Sequence, residues 1–174
     1  IPRALTGGPI SEMCRAGQGH RFHVTGLTHD ERGYPAMNVP AQEKLVRRLV
    51  NKIRLNTDEI LRYEEIGLED AEVVVLSYGI TSRVASRAVR LAREDGLKVG
   101  MIRLIVCWPF PEQKIRELAG DIKAFVVPEL NYGQMFYEVE RCAGGKAECH
   151  LVDHGGGSVH QPEVILAAIR EAFK

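Results

Sequence analysis

An α/β fold with a mostly parallel sheet is predicted by three features of this 174-residue sequence. The run Val73-Val74-Val75-Leu76 is continuous and β-branched, as expected of a strand covered on both faces. Comparable runs recur at Val99 to Val106, Ala124 to Val127 and Cys149 to Val152, and each is followed by helical spacing. Four strand–helix units in series call for right-handed crossovers and helices on both faces of one sheet.

The elements follow in chain order. Residues 1–19 are rich in Gly and Pro and read as an arm or linker from a preceding domain. Phe22 and Val24 alternate with His23 and Thr25, a short strand over residues 21–25 that Gly26 ends. A polar loop then runs to Pro35, with His29, Asp30 and Glu31 side by side. A connection that only reversed the chain could use Gly, Asn, Asp or Pro, so these three ionisable groups ask for a partner, ligand or interface.

Residues 41–66 carry Leu45, Val46, Leu49, Val50, Ile53, Ile60 and Leu61 at three- and four-residue spacing, the stripe of an amphipathic helix. Lys44, Arg47, Arg48, Lys52 and Arg54 occupy its other face. Pairing of i to i+4 with neighbouring acids balances them, so a solvated or subunit-contacting face is expected and not a nucleic-acid site.

After the strand at Val73, Thr81 and Ser82 are expected to cap a helix through Arg93, which Gly96 terminates. Trp108-Pro109-Phe110-Pro111 makes a rigid turn, with Trp108 as its packing plug, and Pro111 favours a helix from Glu112 to Ala119. The third strand leads to a helix through Arg141. The fourth leads through His154-Gly155-Gly156-Gly157 to a closing helix from Pro162 to Phe173. The expected organisation is an arm over 1–19, a strand, loop and long helix over 20–70, and a parallel core over 71–174. Residues 20–174 are expected to form one domain.

Composition narrows the function classes. Basic and acidic side chains balance at 23 each, which argues against generic nucleic-acid or membrane-surface binding. Cys14, Cys107, Cys142 and Cys149 are scattered without a C-x-x-C pair and read as reduced thiols, with no zinc or iron–sulfur site. No apolar run reaches the length of a membrane span. A cytoplasmic protein is expected.

Several segments carry a family resemblance. They are Arg21-Phe22-His23-Val24-Thr25-Gly26, His29-Asp30-Glu31, Gly33-Tyr34-Pro35, Leu68 to Val75, Tyr78-Gly79, Trp108-Pro109-Phe110-Pro111, Val127-Pro128-Glu129-Leu130-Asn131 and Gly155-Gly156 ahead of His160. Together they resemble the C-terminal domain of the alpha subunit of 2-oxoacid:ferredoxin oxidoreductases, the 2-oxoglutarate type in particular. That domain is similar to the C-terminal domain of transketolase. The resemblance implies a three-layer sandwich around a five-stranded, mostly parallel sheet, in which residues 21–25 supply one antiparallel strand. It also implies an oxidoreductase that decarboxylates a 2-oxoacid, transfers the acyl group to coenzyme A and passes electrons to ferredoxin. Thiamine diphosphate, magnesium and iron–sulfur clusters belong to other parts of that complex. The implied partners are the alpha subunit's N-terminal domain, the beta subunit and, through the complex, ferredoxin, with a homodimer also compatible.

Within the chain, no catalytic, metal or cofactor residue is expected. The sequence has no Gly-Asp-Gly with a downstream Asn pair for diphosphate and magnesium. Gly79, Thr81 and Ser82 form a weak anion-site candidate at a helix start. Glu129 and Asn131 suit either a ligand or a neighbouring domain. Thr25, Gly26, His29, Asp30, Glu31 and Gly33 are expected at an interface, with the His and carboxylates satisfying one another and an adjoining domain. The implied role is a supporting domain, inactive alone. A free-standing anion- or nucleotide-binding module and a structural dimerisation domain are the competing readings.

Overall fold

The structure is a computed structural model that describes residues 15–20 and 26–174. The chain divides into two compact units, Ile1–Ile60 and Leu61–Lys174.

In the first unit, a reversed loop brings His29 opposite Pro35. Its backbone is closed by Asp30 N–H to the Tyr34 carbonyl at 2.8 Å and Ala36 N–H to the Thr28 carbonyl at 2.9 Å. Helix α1 (Val39–Arg54) follows, and the Asn38 side chain accepts from the Ala41 N–H at its start. Helix α2 (Thr57–Ile60) is a single turn. The long helix expected over 41–66 therefore stops at Arg54. Asn56 and Thr57 explain the break, because their side chains donate back to the carbonyls of Lys52, Ile53 and Arg54 and compete with a continued ladder.

The second unit holds strands β1 (Tyr63–Ile66), β2 (Val73–Tyr78), β3 (Val99–Leu104), β4 (Ala124–Glu129) and β5 (Glu148–Asp153) in one sheet of order β1-β3-β2-β4-β5. The last four strands are mutually parallel and β1 is antiparallel to β3, with Tyr63 opposite Leu104 and Ile66 opposite Met101. The antiparallel strand of this sheet is thus drawn from 63–66, where helix was expected. The strand expected at 21–25 lies outside the described residues. Gly67 ends β1 at φ +57°, a conformation glycine adopts without a Cβ clash. Glu64 pairs with Arg103 on β3, and Glu65 pairs with Lys114 beyond it.

Helices α3 (Thr81–Glu94) and α6 (Pro162–Glu171) cover one sheet face, while α4 (Glu112–Leu118) and α5 (Gln134–Ala143) cover the other. The β-branched run of β2 is read out directly in this arrangement. Val73 and Val75 enter the core under α3 and α6, and Val74 and Leu76 enter the opposite core with Phe125, Ile115 and Val139. Each such side chain contributes about 1.5–3 kcal/mol by leaving water, which makes the central strands the stable part of the unit. Phe110, not Trp108, is the plug of the Trp-Pro-Phe-Pro turn: Phe110 is buried, whereas Trp108 is 62% exposed.

Gly100 on β3 sits where the chain from Gly67 to Ala71 crosses closely. A Cβ there would stand 2.7 Å from Leu68 Cδ2 and 2.8 Å from the Gly67 carbonyl oxygen. Gly100→Ala should therefore lower stability by about 1–3 kcal/mol, seen as a lower urea midpoint at unchanged slope.

Candidate functional site

In open parallel sheets the crevice for ligands opens at the carboxyl ends of strands, where adjacent connections diverge. Here that point lies between β2, whose connection leads to β3, and β4, whose connection leads to β5. The β2–β4 ladder runs from Val73 opposite Ala124 to Val75 opposite Val126. Pro128 has no N–H to continue it. Beyond, the Ser77 hydroxyl donates to the Pro128 carbonyl at 3.4 Å, and side chains take over the contact between the strand ends.

Glu129 is the centre of that contact and is 1% exposed. Its Oε1 accepts from the Tyr78 hydroxyl at 3.0 Å, the Asn131 amide at 3.2 Å and the Met135 N–H at 2.9 Å. Its Oε2 accepts from the Phe136 N–H at 2.9 Å. Asn131 also donates to the Tyr78 hydroxyl at 2.9 Å, and its Oδ1 accepts from the N–H groups of Gly133 and Gln134. The first turn of α5 thus finds its acceptors in two side chains of the same chain, and the carboxylate lies at the positive end of the helix. Burial, followed by the Glu129 hydrogen bond, pushes the Tyr78 hydroxyl up to about 12.

An added Cβ on Gly155 would lie 2.5 Å from the Tyr132 hydroxyl, the tip of an exposed side chain of the β4–α5 loop. His154 of the β5–α6 loop accepts the Gly156 N–H on Nδ1 at 2.9 Å and meets Ser158 Oγ through Nε2 at 2.9 Å. The accepted N–H assigns the proton of neutral His154 to Nε2. His160 is buried and donates from Nε2 to the Val152 carbonyl at 2.9 Å.

Gly79, Thr81 and Ser82 stand together at the end of β2, with Gly79 at φ +57°. The expected capping does not occur. Ile80 is the N-cap residue and provides no side-chain bond, and the Ser82 hydroxyl donates to the Gly79 carbonyl at 2.7 Å. Thr81 and Ser82 are buried under the helix start.

His29, Asp30 and Glu31 do not satisfy one another. Asp30 accepts from the N–H groups of Arg32 and Tyr34, and its Oδ2 pairs with the Arg32 guanidinium at 2.9 Å. That guanidinium holds the Asp30 carboxyl below its ordinary range. Glu31 pairs with Lys44 of α1, and His29 Nδ1 meets the Leu27 carbonyl at 3.0 Å. Each group turns to a different partner because the loop reverses between them. Gly33 makes that reversal at φ +85°, Gly26 is exposed, and Thr25 lies outside the described residues.

Among the described residues, no three His, Cys, Asp or Glu side chains converge on a point that could hold a metal ion. Burial raises the thiols of Cys107, Cys142 and Cys149. Among the described residues, no helix is long and apolar enough to cross a membrane.

The sheet order and the antiparallel edge strand define a mostly parallel α/β domain with helices on both faces. The model of the pyruvate:ferredoxin oxidoreductase core domain II family matches residues 71–165, and the chain belongs to that family. The 2-oxoglutarate synthase subunit KorA of Methanocaldococcus jannaschii is 51% identical over 160 residues, covering 92% of this chain and 43% of that protein. The ketoisovalerate oxidoreductase subunit VorB of Methanothermobacter marburgensis is 46% identical over 159 residues, covering 91% and 43%. The chain thus spans less than half the length of these curated relatives. The solved 2-oxoglutarate:ferredoxin oxidoreductase from Magnetococcus marinus, with 2-oxoglutarate, coenzyme A and succinyl-CoA bound, superposes with a TM-score of 0.77 at 27% identity. That match covers 99% of this chain and 30% of the other. A split-gene transketolase shares the fold at a TM-score of 0.54 and 16% identity, over 64% of this chain and 41% of that one.

Tyr78 was not among the residues expected at the site, although it ends a buried strand, where a polar tip must find a partner. Tyr78→Phe should cost about 1–2 kcal/mol at neutral pH in urea denaturation. Because folding raises the Tyr78 pKa from 10 to about 12, its stabilising effect is complete below pH 10 and is lost as pH climbs through 12. The stability gap between the wild type and Tyr78→Phe should accordingly narrow across that window.

Proposed function

We infer that this segment is the supporting domain of the alpha subunit of a 2-oxoacid:ferredoxin oxidoreductase, and that it helps assemble the active site without performing the reaction. The observation that carries this reading is the crevice at the diverging strands, which Tyr78, Glu129 and Asn131 fill and satisfy among themselves. Around it the crossover loops present Ile80, Ile105, Trp108, Tyr132 and Val159 as exposed apolar side chains. A charge-poor edge rich in aromatic and aliphatic groups matches the centre of a protein interface better than the mouth of an anion site. Its partners are the alpha subunit's N-terminal domain and the beta subunit. The loop with His29, Asp30, Glu31 and Gly33 fastens the first unit in the same assembly.

In the complete cytoplasmic enzyme, thiamine diphosphate, magnesium and iron–sulfur clusters are carried by other parts and supply the decarboxylation and electron transfer to ferredoxin. The acyl group passes to coenzyme A. The substrate proposed is 2-oxoglutarate, in line with the relative of 51% identity, over ketoisovalerate, in line with the one of 46%.

With 2-oxoglutarate, coenzyme A and an artificial electron acceptor, the isolated chain should give no turnover. The assembled complex should give turnover, with higher kcat/KM for 2-oxoglutarate than for ketoisovalerate. Turnover by the isolated chain would overturn the supporting role, and the reverse preference would overturn only the substrate. The double variant His29→Ala, Glu31→Ala should weaken association with the beta subunit at unchanged thermal unfolding. Unchanged association with impaired turnover would instead give the loop a chemical role.

A further inference from the structure

The segment from His154 to His160 joins β5 to α6, and its three consecutive glycines leave few side chains to hold it in place. Gly156 and Gly157 stand at φ +93° and +81°, a region that residues with a Cβ avoid. A backbone this free needs fixed contacts to keep one shape.

Two imidazoles supply those contacts. His154 Nδ1 accepts the Gly156 N–H at 2.9 Å, closing a turn from two residues back, and its Nε2 donates to Ser158 Oγ at 2.9 Å. His160 donates from Nε2 to the Val152 carbonyl at 2.9 Å, while its Nδ1 is buried without a partner. The two rings meet edge to face with their centroids 5.6 Å apart.

Neither ring has a place for a second proton. On His154 Nδ1 it would face the Gly156 N–H, setting donor against donor in place of a hydrogen bond. On His160 Nδ1 it would be buried with nothing to accept it. No acid compensates: among the described residues, the histidine that meets a carboxylate is His150, with Glu148 at 3.3 Å. The other ionisable groups around the loop are Asp153 at the end of β5, Glu163 in the first turn of α6 and Tyr132 of the β4–α5 loop, whose hydroxyl stands beside Gly155. None of them bonds to either ring.

We propose that His154 is a pH-sensitive clasp: its neutral ring holds the β5–α6 loop closed, and its protonation releases the loop. The sign follows from the form that the closed loop binds. Closure is complete on the alkaline side and is lost as pH falls through the range in which imidazole titrates. The size follows from the same exclusion. When only the open loop takes the proton, at the ordinary imidazole value of about 6.5, the opening constant rises about tenfold from about pH 7.5 to about 5.5. Val159 is exposed on this loop, so its release alters the carboxyl edge itself.

The test follows the Gly156 amide of the full chain by nuclear magnetic resonance, with each exchange rate divided by the intrinsic rate at that pH. Between about pH 7.5 and about 5.5 its protection should fall about tenfold, while amides of β2 and β4 stay within about twofold. Long-range proton–nitrogen spectra of the His154 ring should show the Nε2–H tautomer above neutrality and imidazolium in step with the fall. His154→Asn offers Gly156 an amide oxygen at the same spacing without a titrating group, and should hold protection flat within about twofold. His160→Gln, whose amide suits the Val152 carbonyl, should keep the wild-type fall. Circular dichroism verifies that each variant is folded. Flat protection in the wild type, or a fall that survives His154→Asn, would overturn the clasp. A parallel fall in β2 and β4 would mean that the whole unit loosens, and would overturn it as well.

Discussion

The carboxylate of Glu129 is the constraint around which the carboxyl edge of the sheet is organised. Buried at the end of β4, it takes a hydroxyl from β2, an amide from its own loop and two backbone N–H groups from α5. Removing one partner would leave the buried carboxyl group short of a donor, a cost of about 1–2 kcal/mol. The network therefore joins two central strands and a helix start in one geometry.

This arrangement separates two uses of the same topology. A crevice at diverging strands can hold a ligand if its helix N-termini and polar groups are left open. Here the first turn of α5 is satisfied by Glu129 and Asn131, and the surrounding loops turn aliphatic and aromatic groups outward. Such an edge suits a partner protein.

The parallel core was legible because burial on both faces leaves a continuous β-branched run, and all four such runs became strands of the sheet. Helix α3 and its stop at Gly96 were legible for the same periodic reason. The stop of α1 was not, since the apolar spacing carries on past Asn56 and Thr57, while side-chain bonds to Lys52, Ile53 and Arg54 end the helix. The strand at Tyr63–Ile66 was hidden by its two glutamates, whose partners Arg103 and Lys114 are some forty to fifty positions away. Trp108 and Phe110 sit in similar proline settings, and only tertiary packing decides which one is buried. At the site, Glu129 and Asn131 stood out by residue type at a strand end. Their bond to Tyr78, fifty-one and fifty-three residues earlier, depends on the pairing of β2 with β4. The mutual network expected of His29, Asp30 and Glu31 did not form, because adjacent residues in a reversing loop point apart.

The central claim is that the carboxyl edge meets protein and not a small ligand. Amide hydrogen exchange in the free chain and in the assembled enzyme tests it most directly. The account predicts slower exchange on assembly in the loops at 79–82, 105–111, 130–134 and 154–160, and no change when 2-oxoglutarate or coenzyme A is added to the free chain. Protection of those loops by either small molecule alone, or no protection on assembly, would contradict it.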